Sequence, residues 1–351
     1  MDRESIMSQI EKAADELRRQ GACDRWFTDA DPLVKKVACD VHGPMLTMLG
    51  KQCGYHDTEC AEVFRRGGCL HGVLDKSGCG VPLKIDSEFD PNALLVDIVK
   101  RNTQVLSKLK SDEHAAGLLK LSNGEVGLGR LIGPLKVEDV DLAEGSIASR
   151  FSVVQGVLPN GEPKIRAVDN MTESKVNQST APQEKLKYST LDWLFESMQR
   201  MMLAFTCLLS MWKADIDCAY RRLPLLPEHR RHARVAFRCD GGVKIFQHCA
   251  LPFGAISSVH HWERIGALLC AIARRILHLP VYRFVDDFFA ACRASVANHS
   301  MQIFARRLPL PFVRVCLSCV LDLQAGAVFV GCHGNFCQKT CHRQSADYSG
   351  D

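Results

Sequence analysis

At 351 residues, 46% hydrophobic and 24% charged, the chain has room for two or three ordinary domains and is too apolar for wholesale disorder. A net charge of +4 permits nucleic-acid binding without announcing it, so any basic surface must come from local clustering. The first twenty residues carry acids and no apolar core, and the longest apolar run (201–212) falls short of the ~20 residues of a membrane span, so the expectation is a soluble intracellular protein, cytoplasmic or nuclear.

Ile6, Ile10, Ala13, Ala14 and Leu17 recur at helical spacing and predict an amphipathic helix over 2–20. Residues 31–66 read as largely helical, interrupted at Gly50 and Gly54, and 67–90 as a Gly-punctuated loop. From Pro91 the apolar spacing predicts one helix running to about 110. Character changes after about 146. Residues 148–170 alternate apolar and polar around Pro159-Asn160-Gly161, the pattern of a β-hairpin. A helix over 190–207, a strand in 212–217 and a second hairpin over 234–250, turned by Asp240-Gly241-Gly242, follow. A long helix over 257–277 has Ser257 and Ser258 as candidate caps. Residues 281–292, VYRFVDDFFAAC, read as two short strands about a tight acidic turn. Antiparallel hairpins mixed with helices predict an α+β fold with helices packed on an antiparallel sheet.

Asp286 and Asp287 are adjacent acids in an apolar hairpin, costly to keep ionised without a cation. Their hard oxygens suit Mg²⁺, although Asp is also an ordinary turn residue. Asp215 stands at the end of the strand in 212–217, and the aromatic Tyr220 follows five residues later. With the two strands side by side, three carboxylates converge on one sheet edge, enough for two Mg²⁺ ions ~4 Å apart. Lys164 and Arg166 share a face of the first hairpin, and their natural partner is a triphosphate. Residues 251–262 form a Pro/Gly-bearing loop able to press its backbone against a base pair or sugar, and the basic run 228–238 reads as a template path or a solvated loop.

Taken together these segments resemble the reverse transcriptases, especially those of retrotransposons. Asp215-Ile216-Asp217-Cys218-Ala219-Tyr220 is similar to the first palm motif, Leu251-Pro252-Phe253-Gly254 to the Leu-Pro-Phe-Gly motif, and Phe284-Val285-Asp286-Asp287 to the aromatic-x-Asp-Asp motif. Arg166 with Asp169 resembles the fingers Arg-x-x-Asp, and Phe329-Val330-Gly331 the primer grip. The resemblance covers about 148–331, in the family's order and spacing. It implies a right-hand polymerase with fingers at about 148–187 and 224–247 and palm at about 188–223 and 248–331. Residues 1–147 would precede it as a mainly helical region, and 332–351 would follow as a Cys/His-containing tail.

The same resemblance implies RNA-directed DNA polymerase activity on a primed RNA or DNA template, with dNTPs and two Mg²⁺. Asp215, Asp286 and Asp287 would be the metal ligands, with the Ile216 carbonyl assisting. Tyr220 would lie beneath the incoming sugar and exclude a 2′-hydroxyl. Phe253 and Gly254 would contact nucleotide and template, Arg166 the triphosphate, and Phe329, Val330 and Gly331 the primer.

Two departures bear on activity. Residues 293–328 hold no Lys where the family supplies a proton donor for pyrophosphate, and Arg306, Arg307 or Arg314 would supply charge only. Twenty residues follow Gly331, so the expectation is a fingers–palm portion truncated before thumb and RNase H. The seventeen Cys read as buried or free thiols. Zinc at Cys316, Cys319, Cys332, His333, Cys337, Cys341 and His342, or at Cys53, His56, Cys60, Cys69, His71 and Cys79, is disfavoured because the gaps match no standard finger. The alternatives are an inactive nucleic-acid-binding remnant, an RNA-dependent RNA polymerase, and a zinc-stabilised interaction protein.

Overall fold

The computed structural model describes residues 3–85, 89–205, 207–307 and 313–321, with side chains for 4–85, 89–205 and 207–305. The chain begins with α1 (Arg3–Arg19), α2 (Ala22–Trp26), α3 (Pro32–Val37), α4 (Gly43–Gln52) and α5 (Val63–Arg66). Asp31 caps α3 by accepting from the Leu33 and Val34 amides at 2.9 and 3.1 Å. The expected break at Gly50 does not occur: Leu46, Leu49 and Gly50 are buried, and α4 runs on to Gln52 before Gly54 takes φ +63°. Residues 67–90 hold two short strands, β1 (Gly72–Val73) and β2 (Val81–Pro82), where only loop was expected.

The helix expected from Pro91 starts later, as α6 (Ile98–Lys108), because Asp97 is left-handed at φ +48°. Arg101 holds the turns ahead of it by donating to the Leu94, Val96 and Ala93 carbonyls at 2.6, 2.7 and 3.2 Å. Next come α7 (Ala115–Gly127), β3 (Leu131–Leu135), β4 (Ile147–Val157), β5 (Pro163–Asp169), β6 (Thr180–Ala181), β7 (Glu184–Lys185), α8 (Leu191–Phe205) and β8 (Leu209–Ile216). The described chain closes with β9 (Arg234–Cys239), β10 (Gly242–His248), α9 (Ile256–Arg275), β11 (Val281–Phe284), β12 (Asp287–Arg293), α10 (Ala297–Arg307) and β13 (Val313–Leu321).

Two sheets organise this mixed α+β fold. One has the order β3-β10-β9-β4-β5 and the other β11-β12-β8-β13. The β9–β10 hairpin turns on Asp240 and Gly241, both at positive φ, which suits the twist of a two-residue hairpin loop. Because β3 pairs with β10, the first sheet recruits residues from before the boundary expected at 147. The main core likewise runs from Met7 to Phe304.

The second sheet is covered on both faces, since side chains alternate along each strand. Trp212, Ala214 and Ile216 face the main core with Phe288 and Phe304, whereas Leu209 and Met211 lie with Phe289 and Ala291 under α8. Helix α9 is the buried rod of the molecule. From consecutive positions His261 lies 3.1 Å from the Cys69 carbonyl, Trp262 and Glu263 reach residues 283–285, and Arg264 forks onto Asp57 at 2.7 and 2.9 Å. Ser257 and Ser258 do not cap it. Ser258 Oγ donates instead to the Pro252 carbonyl at 2.6 Å, and the Ile256 amide donates to Asn177 Oδ1 at 3.0 Å.

Much of the basic run at 228–238 turns inward. Arg230 pairs with Asp31, Arg234 donates to the Asp141 carbonyl at 3.0 Å, and the His71 ring stacks on His229 at 4.0 Å and meets His232 edge-on at 5.2 Å. Burial pushes His71, His229, His232, His248 and His261 from the ordinary 6.5 down to about 4. Between these values the unfolded chain binds protons that the folded chain does not. Histidine-linked stability is therefore full above pH ~6.5 and lost as pH falls towards 4. One fully buried ring contributes on the order of 3 kcal/mol, while solvent screens the share of the His71–His229–His232 stack. The urea midpoint is expected to fall steeply from pH 7 to 4.5. A flat profile would show that these rings titrate normally.

Candidate active site

Strand β12 pairs antiparallel with β8 and sets Asp287 directly opposite Asp215. The β11–β12 loop is two residues, Val285 and Asp286, and the Ile216 amide donates to the Asp286 carbonyl at 3.4 Å. Three carboxylates thus gather at one end of the sheet. Asp215 and Asp287 lie on the α8 side, past the apolar stretch that α8 covers, and Asp286 lies in the adjoining turn. Along that face the β8 row reads Leu209, Met211, Lys213, Asp215, turning from buried apolar to exposed charge.

The electrostatics of this end are strained. Asp215 and Asp286 are both held above the ordinary carboxylate range, first by burial, and then Asp215 by the charges of Asp286 and Asp287 and Asp286 by that of Asp287. Lys213, two residues before Asp215 and on its face, places Nζ 2.7 Å from Asp287 Oδ2, with the two side chains 47% and 35% exposed. Sequence reading passed over this lysine, although strand alternation was enough to place it. Asp217 adds a smaller share of negative charge at Asp215 and accepts from Arg222 at 3.0 Å.

Around the acids stand Tyr220, Phe253 and Arg166. The Tyr220 and Phe253 rings meet edge-on at 5.3 Å, and the Arg166 guanidinium lies over Phe253 at 5.7 Å. Burial and then the Asp286 charge raise the Tyr220 phenol, while Arg166 draws Asp286 back down, so these three groups share one field. Gly254 has φ +93°, and a Cβ there would collide with the Asp169 carbonyl oxygen. Asn177 Nδ2 donates to the Gly254 carbonyl at 2.9 Å and fixes the loop against the turns that follow β5. Ile216 is buried, and Lys164 is exposed farther along the β5 edge. Phe329, Val330 and Gly331 lie outside the described residues, as do Cys332, His333, Cys337, Cys341 and His342; of Cys316 and Cys319 only the β13 backbone is described.

Asp169 does not meet Arg166. Arg150 holds it bidentately at 2.7 and 3.0 Å, with side chains 5% and 2% exposed, and His248 Nε2 lies 3.0 Å away. Asp169 is buried, but Arg150 and then His248 more than offset that and keep its carboxyl well below the usual range. The network continues through Arg221, which contacts His248 Nδ1 at 2.7 Å and Glu125 at 2.8 Å.

Among the described residues no three His, Cys, Asp or Glu side chains are grouped to hold one ion, and no helix is long and apolar enough to cross a membrane. The acids nevertheless fit Mg²⁺ by chemistry. They are hard oxygens, those of Asp215 and Asp286 raised first by burial and then by neighbouring negative charge, and Mg²⁺ takes one or two carboxylates together with substrate phosphates. Asp287 would first have to release Lys213.

No protein-family model and no curated protein matches the chain. Among solved structures it is similar to a foamy viral protease-reverse transcriptase in complex with double-stranded DNA, at 15% identity and a TM-score of 0.36. That match covers 58% of this chain and 30% of the other, so the chain spans less than a third of the viral protein, and a likeness this loose leaves the reading to the site itself.

Proposed function

We propose that the chain is the fingers–palm portion of a retroelement-type RNA-directed DNA polymerase, adding a deoxynucleotide to a primer 3′-hydroxyl on a template. The observation that carries this reading is the placement of Asp287 opposite Asp215 with Asp286 in the adjoining turn, beside Arg166, Phe253 and Tyr220. In this reading the β8-containing sheet is the palm and the β4-containing sheet the fingers.

In the transfer, the primer hydroxyl gives its proton to solvent water and its oxygen bonds to the α-phosphorus as the bond to the pyrophosphate oxygen breaks. Bound Mg²⁺ would supply charge neutralisation to both oxygens. Arg166 faces the triphosphate and offsets its charge, held in place by the Phe253 ring. Tyr220, braced by Phe253, forms the floor beneath the sugar. Gly254 lets the loop backbone approach where any side chain would clash. Asp215 and Asp286, crowded by like charge, supply the unneutralised oxygens that favour a divalent ion.

Primer extension on RNA and DNA templates with dNTPs and Mg²⁺ tests the reading. Incorporation is expected with dNTPs, and Tyr220→Ala is expected to raise use of ribonucleotides by roughly 10–100-fold relative to dNTPs, the scale of ~1–3 kcal/mol in a steric pocket. Unchanged sugar preference would remove Tyr220 from its role. A second reading, an inactive nucleic-acid-binding remnant, draws on the Lys213–Asp287 ion pair at the acid site. Salt-dependent binding to primer–template with no incorporation would favour it.

A further inference from the structure

Val285, between Phe284 and Asp286, has φ +55°. For a β-branched residue this is an outlier, because its Cβ branches crowd the backbone there. Glycine or asparagine would adopt the turn freely. Such conformations persist only where the surroundings over-determine them.

Here the surroundings do so through one carbonyl. The Val285 oxygen accepts from Trp262 Nε1 at 3.0 Å and from Arg283 Nη1 at 2.7 Å. Arg283 is itself fixed. Glu263 accepts from its Nη2, and both side chains are about 95% buried, at 5% and 4% exposure. Its guanidinium lies over the Tyr188 ring at 5.8 Å, its amide donates to Ser189 Oγ at 3.2 Å, and its carbonyl accepts from the Ser189 amide at 3.1 Å. Gly266, one turn along α9, leaves the space the guanidinium fills, since a Cβ there would stand 2.8 Å from Nη1. A buried ion pair is a costly way to fill a core. This one spends a donor on the residue next to the acids.

We propose that Trp262, Arg283 and Glu263 are positioning residues that clamp the Val285 carbonyl and thereby aim Asp286 and Asp287, an inference that rests on the polymerase reading. None of the three is placed against substrate. Their effect travels through a single backbone torsion, whose relaxation would swing Asp286 away from Asp215.

Trp262→Phe keeps an aromatic ring in place and removes the N–H. In primer extension it is expected to lower kcat by about 10–100-fold with the KM for dNTP within about twofold, the scale of a small misplacement at a reacting centre. Val285→Gly supplies the decisive comparison, because glycine holds the same torsion unaided. Adding Trp262→Phe to the Val285→Gly chain is expected to cost less than about threefold. If Trp262 only packs, its loss costs as much in either background, and the clamp is overturned. A Trp262→Phe chain with unchanged kcat overturns it as well. If the unaltered chain incorporates nothing, the polymerase reading fails and the clamp is judged by hydrogen exchange over residues 283–289. About tenfold faster exchange in Trp262→Phe supports it, and unchanged exchange sinks it.

Discussion

Asp215→Asn is expected to cut nucleotide incorporation by roughly 10³-fold or more while leaving the melting temperature unchanged or slightly higher. The two halves of this expectation come from the same physics. Asp215 sits opposite Asp287 and beside Asp286, and burial with like-charge repulsion raises its pKa. A group raised in this way costs the folded state while ionised, so neutralising it relieves the fold. Asparagine keeps the shape but surrenders the charge that a metal–phosphate complex requires. Primer extension and a thermal melt on the same preparation check both halves. Full activity, or a melting temperature several degrees lower, would show Asp215 to be an ordinary structural acid.

The opposite pattern is expected at Asp169. Asp169→Asn should lower the unfolding free energy by about 3–5 kcal/mol and the melting temperature by on the order of 10 °C. Its carboxylate is the hub of a buried network in which Arg150 and His248 both reach it and Arg221 continues to Glu125. Removing that one negative charge leaves Arg150 desolvated without its counter-charge. A urea titration with an unchanged slope and an earlier midpoint would show the loss as stability. The paired change Asp169→Leu with Arg150→Met should recover most of it, since a buried pair replaced as a unit is often neutral. Equal loss in the single and paired variants would count against the network as the cause.

The contrast between these acids shows where the sequence is legible. Asp215 and Asp287 each take the face that the period of two assigns them, and the pairing of β8 with β12 then sets them opposite each other. The same period puts Lys213 on the face of Asp215. Asp169 defeats such reading because the β4–β5 register shifts between Val154 and Val157. One extra residue there decides whether Arg150 or its neighbour faces Asp169, and nothing in the local pattern marks the bulge. The late start of α6 likewise depends on Asp97 turning left-handed beneath Arg101, a contact that helical periodicity does not contain. β3 carries Gly133-Pro134, residues that disfavour the interior of a sheet, and it accordingly forms the edge of one. Glu263 and Arg283 come from a helix and a strand, and their pairing rests on tertiary packing alone.

Helix α9 gives these arrangements a shared fate. His261 and Arg264 hold Cys69 and Asp57, while Trp262 and Glu263, between them in sequence, hold the turn that carries the acids. Its buried Leu268 and Leu269 belong to the same core as Leu46 and Leu49 of α4. A cassette cut at residue 147 would bare that greasy flank and unhook two of the four anchors. In evolutionary terms, the first third of the chain and its acidic tip are not interchangeable parts: whatever reshapes one is felt by the other through a single rod.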